Sequence, residues 1–158
     1  MARILCIETS TGVCSAAIAE NGKVVSVKED ATGMNHSTLL TVFIDELLKE
    51  NRLEASSFDA VAVSEGPGSY TGLRIGVSAA KGFCFGAGVP LIAVSPLKSM
   101  VHGVLTNTDV KVEKDSYLIP MIDARRMEVY CAKFNSNGAQ LGEVKAEVID
   151  KHSFSDAL

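Results

Sequence analysis

Tryptophan is absent from this sequence, and aromatic residues make up only 6 % of it. Any core must therefore be built from aliphatic and small side chains. No segment reaches the ~18 consecutive apolar residues that a membrane-spanning helix needs. The longest apolar stretch, 82–94, is broken by glycines and by Pro90. The start, MARILCIETS, lacks the basic opening and long apolar run of a secretory signal, so it reads as a first strand. No CxxC pair occurs among the 4 cysteines, and no histidine stands at ligand spacing from them. Cys6, Cys14, Cys84 and Cys131 are accordingly expected to be reduced, small core residues in an intracellular, cytoplasmic chain. A basic surplus is missing too. The net charge is −4 and the only tight basic pair is Arg125-Arg126. Strong binding to nucleic acid by this chain alone is disfavoured, because such binding rests on releasing phosphate counterions with a basic face.

What remains is 47 % hydrophobic and 22 % charged over 158 residues. That suits an ordered domain, or one lobe and part of another. Residues 3–9 are β-rich and apolar, 13–20 read as a second strand and 23–29 as a third. Asn21-Gly22 is the hairpin signal between the last two. Residues 36–51 read as a helix with a narrow polar stripe of Thr38, Thr41, Asp45 and Lys49, at spacings of 3, 4 and 4. Leu39, Leu40, Phe43, Ile44, Leu47 and Leu48 cover the rest of its circumference, more than one sheet can bury, so a second apolar neighbour is expected. A strand at 59–65, a Gly66-Pro67-Gly68 turn, a helix at 71–86, a strand at 90–95 and a helix at 96–105 follow.

The order βββαβαβα is that of the ribonuclease-H-like lobe found in actin-like proteins. Residues 1–105 are read as that N-terminal lobe. After a polar linker, strands at 116–122, 128–134 and 143–149 read as the start of a second lobe over 116–158 that stops short.

Several motifs come close to known chemistry. Gly66-Pro67-Gly68 is followed by Gly72, one residue beyond GxGxxG spacing and after the wrong strand for a dinucleotide site. Lys81 precedes Gly82, so no Walker A loop is formed. Ser78-Ala79-Ala80-Lys81 matches SxxK without the partner sequences of a serine–lysine hydrolase. Glu8, Thr9, Ser10 and Thr11 end the first strand, where hydroxyls and backbone N–H groups can cradle phosphate. They are a weak nucleotide-binding candidate beside the plainer reading of a turn cap. His36 has Leu40 at i+4, where a helical metal site wants a second ligand, so no metal site is expected. Asp123 and Arg125 suit either a polar site or a local ion pair.

Taken together, ILCIETST, the NHS opening the first helix, SEGPGSYTGLRIGVSAAKG and IDARRMEVY resemble the TsaB (YeaZ-type) family. The resemblance implies an actin-like subunit of the machinery that makes threonylcarbamoyl-adenosine beside the anticodon of tRNA. It implies no catalysis by the chain itself and no cofactor of its own, with ATP handled through the complex. TsaD, the catalytic relative, and the ATPase TsaE are the implied partners, with tRNA reached only through the complex and no membrane. A homodimer through the same helices is the alternative pairing. In the catalytic relative two histidines hold a metal, and their positions fall here on His36 and Leu40. The implied partner surface is the first two helices, with Leu40, Phe43, Ile44 and Leu47 on one. Thr71, Gly72, Ile75, Gly76, Ala79 and Phe83 lie on the other. On that reading Gly76→Arg would abolish pairing and leave the fold intact. Two further readings are an actin-like ATPase or phosphotransferase, carried by Glu8–Thr11, and a metallopeptidase of the glycoprotease type, which Leu40 argues against.

Overall fold

The computed structural model describes residues 2–33 and 35–155. By compactness the chain divides into two units, Met1–Val94 and Ser95–Leu158.

In the first unit, β1 (Arg3–Glu8), β2 (Cys14–Glu20) and β3 (Lys23–Asp30) form an antiparallel meander. The chain then runs through α1 (His36–Asn51), β4 (Ala60–Ser64), α2 (Tyr70–Ala87) and β5 (Leu91–Val94). β4 joins β1 in parallel and β5 joins β4 in parallel, giving the sheet order β3-β2-β1-β4-β5. This is the ribonuclease-H-like, actin-like lobe expected from the element order. Helical segments link β3 to β4 and β4 to β5, as parallel strands require.

Alternation along the strands sends Leu5 and Ile7 of β1, Ala16 and Ile18 of β2, and Val61 and Val63 of β4 into one core. Leu40, Ile44 and Leu47 of α1 and Ala80 of α2 meet them there. Burying each large aliphatic side chain contributes about 1.5–3 kcal/mol. The helix ends follow their local chemistry. Ser69 caps α2 by accepting from Gly72 N, and Gly88 closes it in the left-handed region at φ 70°. Arg52 closes α1 at φ 54°.

The second unit holds α3 (Pro96–Thr106), β6 (Tyr117–Leu118), β7 (Met121–Arg125), β8 (Glu128–Cys131), β9 (Phe134–Asn135) and β10 (Lys145–Val148). Leu97 and Val101 of α3 pack with Ile122, Ala132 and Phe134. The helix read as the end of the first lobe thus groups with the second unit, because that is where its apolar face is buried. The strand read at 116–122 is two strands in different sheets: β6 pairs β9, and β7 pairs β8. Pro120 stands between them and has no N–H to donate to a ladder. Residues 156–158 of the second-lobe reading lie outside the described residues.

Candidate interaction surface

Thr9 closes β1 and is fully buried. Its Oγ1 donates to the carbonyl of Gly72 at 2.8 Å, across 63 residues of sequence. A Cβ at Gly72 would run into the carbonyl oxygen of Thr9, and one at Gly76 into its Oγ1. The glycines of α2 therefore let the helix settle on the end of β1. Their close approach is internal.

That alters the reading of the ten helix residues. Leu40, Ile44 and Leu47 are buried in the core of their own unit. Phe43, Ile75, Ala79 and Phe83 pack partly against that core. Phe83 also meets Phe58 edge-to-face, with ring centroids 5.7 Å apart. The second apolar neighbour expected for α1 is α2 itself. Of the ten, Thr71 alone is exposed. Gly76→Arg would consequently break the fold, contrary to the expectation that it leaves the fold intact.

The exposed side of the two helices is made by other residues. Tyr70, Arg74, Ser78, Lys81 and Phe85 form one stripe along α2, and Ser37, Thr41, Asp45 and Lys49 one along α1, all exposed. Between them runs an open groove of about 530 Å³ lined by Ser37, Leu40, Thr41, Tyr70, Thr71, Arg74, Ile75, Ser78 and Ala79. Leu40, Ile75 and Ala79 give it an apolar floor. Arg74 lies over the Tyr70 ring at 5.4 Å, which fixes two side chains at its rim. Tyr70 is 75 % exposed and Phe85 92 %. Sequence reading missed Phe85, although its place on the Tyr70–Arg74–Ser78–Lys81 stripe was visible in the spacing.

The Glu8–Thr11 turn is tied inward. The Glu8 carboxylate accepts from Ser10 N at 2.6 Å through one oxygen and from the Ser64 hydroxyl through the other. Thr9 is spent on Gly72, and Thr11 Oγ1 accepts from Val13 N at 3.3 Å. Ser69 N donates to the Ser10 carbonyl at 2.7 Å, and the Ser10 hydroxyl is buried without a partner among the described residues. His36 lies with Nε2 3.0 Å from the Thr11 carbonyl. Leu40, the position four residues on, faces the core. Among the described residues no three His, Cys, Asp or Glu side chains converge as metal ligands. No helix among them is long and apolar enough to cross a membrane. The four cysteines are unpaired, and burial pushes each thiol up from its ordinary pKa. Asp123 makes no ion pair with Arg125 that the geometry records; its carboxylate accepts from Arg125 N at 2.7 Å.

Residues 27–155 match the family described as TsaD: tRNA N6-adenosine threonylcarbamoyltransferase. The chain is similar to the tRNA threonylcarbamoyladenosine biosynthesis protein TsaB of Haemophilus influenzae, 35 % identical over 80 % of this chain and 51 % of that protein. With TsaB of Buchnera aphidicola from Acyrthosiphon pisum it shares 31 % identity over 98 % of this chain and 68 % of the relative. YeaZ from Pseudomonas aeruginosa superposes with a TM-score of 0.81 at 27 % identity, covering 96 % of this chain and 70 % of that one. The chain spans about half to two thirds of the length of these curated relatives.

Proposed function

Because the chain belongs to the TsaB (YeaZ-type) family, we propose that it serves tRNA threonylcarbamoyladenosine biosynthesis as a non-catalytic subunit that docks on the TsaD transferase. The observation that carries this reading is the outer face of α1 and α2, a groove with an apolar floor flanked by Tyr70, with Phe85 exposed farther along the same stripe of α2. A large aromatic side chain 92 % exposed on a helix has apolar area to gain by entering a partner's pocket. The match of residues 27–155 to the transferase family supports a partner of related fold with counterpart helices. Packing two such helix pairs face to face is the simplest way to cover both grooves.

The chemistry belongs to the partner in this reading. Leu40 cannot coordinate a metal and is turned into the core. The carboxylate of Glu8 and the hydroxyl of Thr9 already serve internal bonds. ATP is handled by the assembly, which includes TsaE, and tRNA is met through it.

The test is co-purification of TsaD with a Phe85→Asp variant. Truncating a central aromatic anchor weakens a complex by about 2 kcal/mol or more, roughly thirtyfold or more in Kd. A surface change of this kind leaves stability within about 0.5 kcal/mol. Loss of TsaD with unchanged melting supports the docking face. Full retention of TsaD by Phe85→Asp, and by Phe85→Asp combined with Arg74→Glu, removes it.

A further inference from the structure

Two turns of this chain use the residues that left-handed backbone favours. Asn21-Gly22 joins β2 to β3 at φ 51° and 78°, and Gly138 sits at φ 81° after Asn137. The hairpin between β7 and β8 does not. Arg125 pairs across the ladder with Glu128, leaving Arg126-Met127 as a two-residue loop. Arg125, Arg126 and Met127 have φ of 70°, 54° and 65°. Three successive non-glycine residues in this region are disfavoured, and such a conformation persists where the side chains have a use.

Among the described residues, no hydrogen bond or ion pair of these three side chains supplies that use. Arg125, Arg126 and Met127 are all exposed, Met127 at 71 %. Glu128 stands across the ladder from Arg125, while Asp123 and Asp150 are turned to the backbone. Asp123 accepts from Arg125 N, and Asp150 accepts from His152 N at 2.7 Å. The chain runs on from β10 beside the tip, with Ile149 N donating to the Met127 carbonyl at 2.8 Å, and leads to exposed Lys151. Arg125-Arg126 is also the only adjacent pair of basic residues in a chain of net charge −4.

We propose that the β7–β8 tip is an RNA contact in which Arg125 and Arg126 bind consecutive phosphates and Met127 lies against a sugar or base. Guanidinium groups match phosphate with paired donors. The tip closes a three-stranded sheet, β10-β8-β7, and offers both guanidinium groups at one exposed turn of a net-negative chain. An acidic protein partner is the competing occupant. Two adjacent, exposed guanidinium groups that form no ion pair among the described residues favour a partner with closely spaced anions along one chain, as in a nucleic-acid backbone. This inference rests on the proposed role in tRNA modification.

The test uses the chain assembled with TsaD and measures tRNA binding against salt. Two phosphate contacts contribute about 1.8 to the slope of log affinity on log salt, so raising salt from about 50 to 200 mM costs roughly tenfold through them. Arg125→Gln with Arg126→Gln is expected to remove that tenfold sensitivity. Met127→Gly is expected to raise Tm by a few degrees and to keep the slope, since it relaxes the turn and retains both charges. An unchanged slope in the double variant overturns the inference and leaves the proposed function standing. Loss of TsaD from the double variant assigns the tip to a protein contact and also overturns it. A wild-type assembly that binds no tRNA removes the reading on which the inference rests, and the inference with it.

Discussion

The inward side of α2 presents Gly72, Gly76 and Ala80, all buried, while its outward side presents Tyr70, Arg74, Ser78, Lys81 and Phe85. Glycines occur on both sides. Gly72 and Gly76 sit where any Cβ would strike Thr9, whereas Gly82 and Gly86 have nothing within 4 Å. The same residue type therefore has two physical meanings within one helix. Inside, it is a steric requirement of the strand–helix contact. Outside, it leaves surface open and costs about 1 kcal/mol of helix propensity per residue. The exposed face of a helix built this way lies opposite the face that its glycine motif makes conspicuous.

The largest effect expected from this contrast comes from the inward side. Gly72→Val and Gly76→Arg place a side chain into backbone or fully buried atoms of Thr9, and overpacking of that kind costs about 1–3 kcal/mol or more. Burying an arginine at position 76 adds an unpaired charge. Chemical denaturation of either variant should show no cooperative native baseline, or a midpoint far below wild type. Next comes Leu47→Ala on α1. Leu47 is fully buried, so its truncation is expected to lower stability by about 2–5 kcal/mol. Were Leu47 a partner-facing residue, the isolated chain would lose less than 0.5 kcal/mol, and the contrast between the faces would fail.

Much of the framework was readable because it is local. α1 spans His36–Asn51 as its polar stripe indicated, and α2 extends one residue beyond the expected 71–86 at each end. The meander followed from Asn21-Gly22, and the lobe from the order of elements. What escaped sequence reading is long-range. A Gly-x-x-x-Gly spacing says that something approaches closely, and not that it is Thr9, 63 residues before Gly72. The apolar arc of α1 says that two neighbours exist, and not that the second is α2. The β7–β8 connection was legible as a join between two strands, but its two-residue loop was not, because Arg126-Met127 adopts φ values that the usual turn residues would have advertised.

A smaller effect tests the contact between β1 and α2 without changing its size. Thr9→Val keeps the branched shape and removes the hydroxyl that donates to Gly72 O. Losing a buried hydrogen bond of this kind costs about 0.5–1.5 kcal/mol. Thr9→Ser retains the donor and isolates the contribution of the methyl group. If Thr9→Val is as stable as wild type by urea denaturation, the hydrogen bond contributes nothing and shape alone seats the helix.

The smallest expected change has the opposite sign and sharpens the comparison most. Gly82→Ala adds a methyl group on the open side of α2, where nothing lies within 4 Å and the backbone is helical. It should raise stability by about 0.5–1 kcal/mol, because alanine loses less backbone freedom on folding. That gain should appear as a higher urea midpoint with an unchanged m-value. If the open side is the docking face, the same methyl group also enters the space beside Phe85 that a partner helix would use. Gly82→Ala should then stabilise the isolated chain and weaken its complex with TsaD. A variant that stabilises the chain and binds TsaD as well as wild type would place Gly82 outside the contact and confine docking to the Tyr70 end of the groove. A variant that destabilises the chain would mean that the outward glycines, like the inward ones, meet a requirement of the fold.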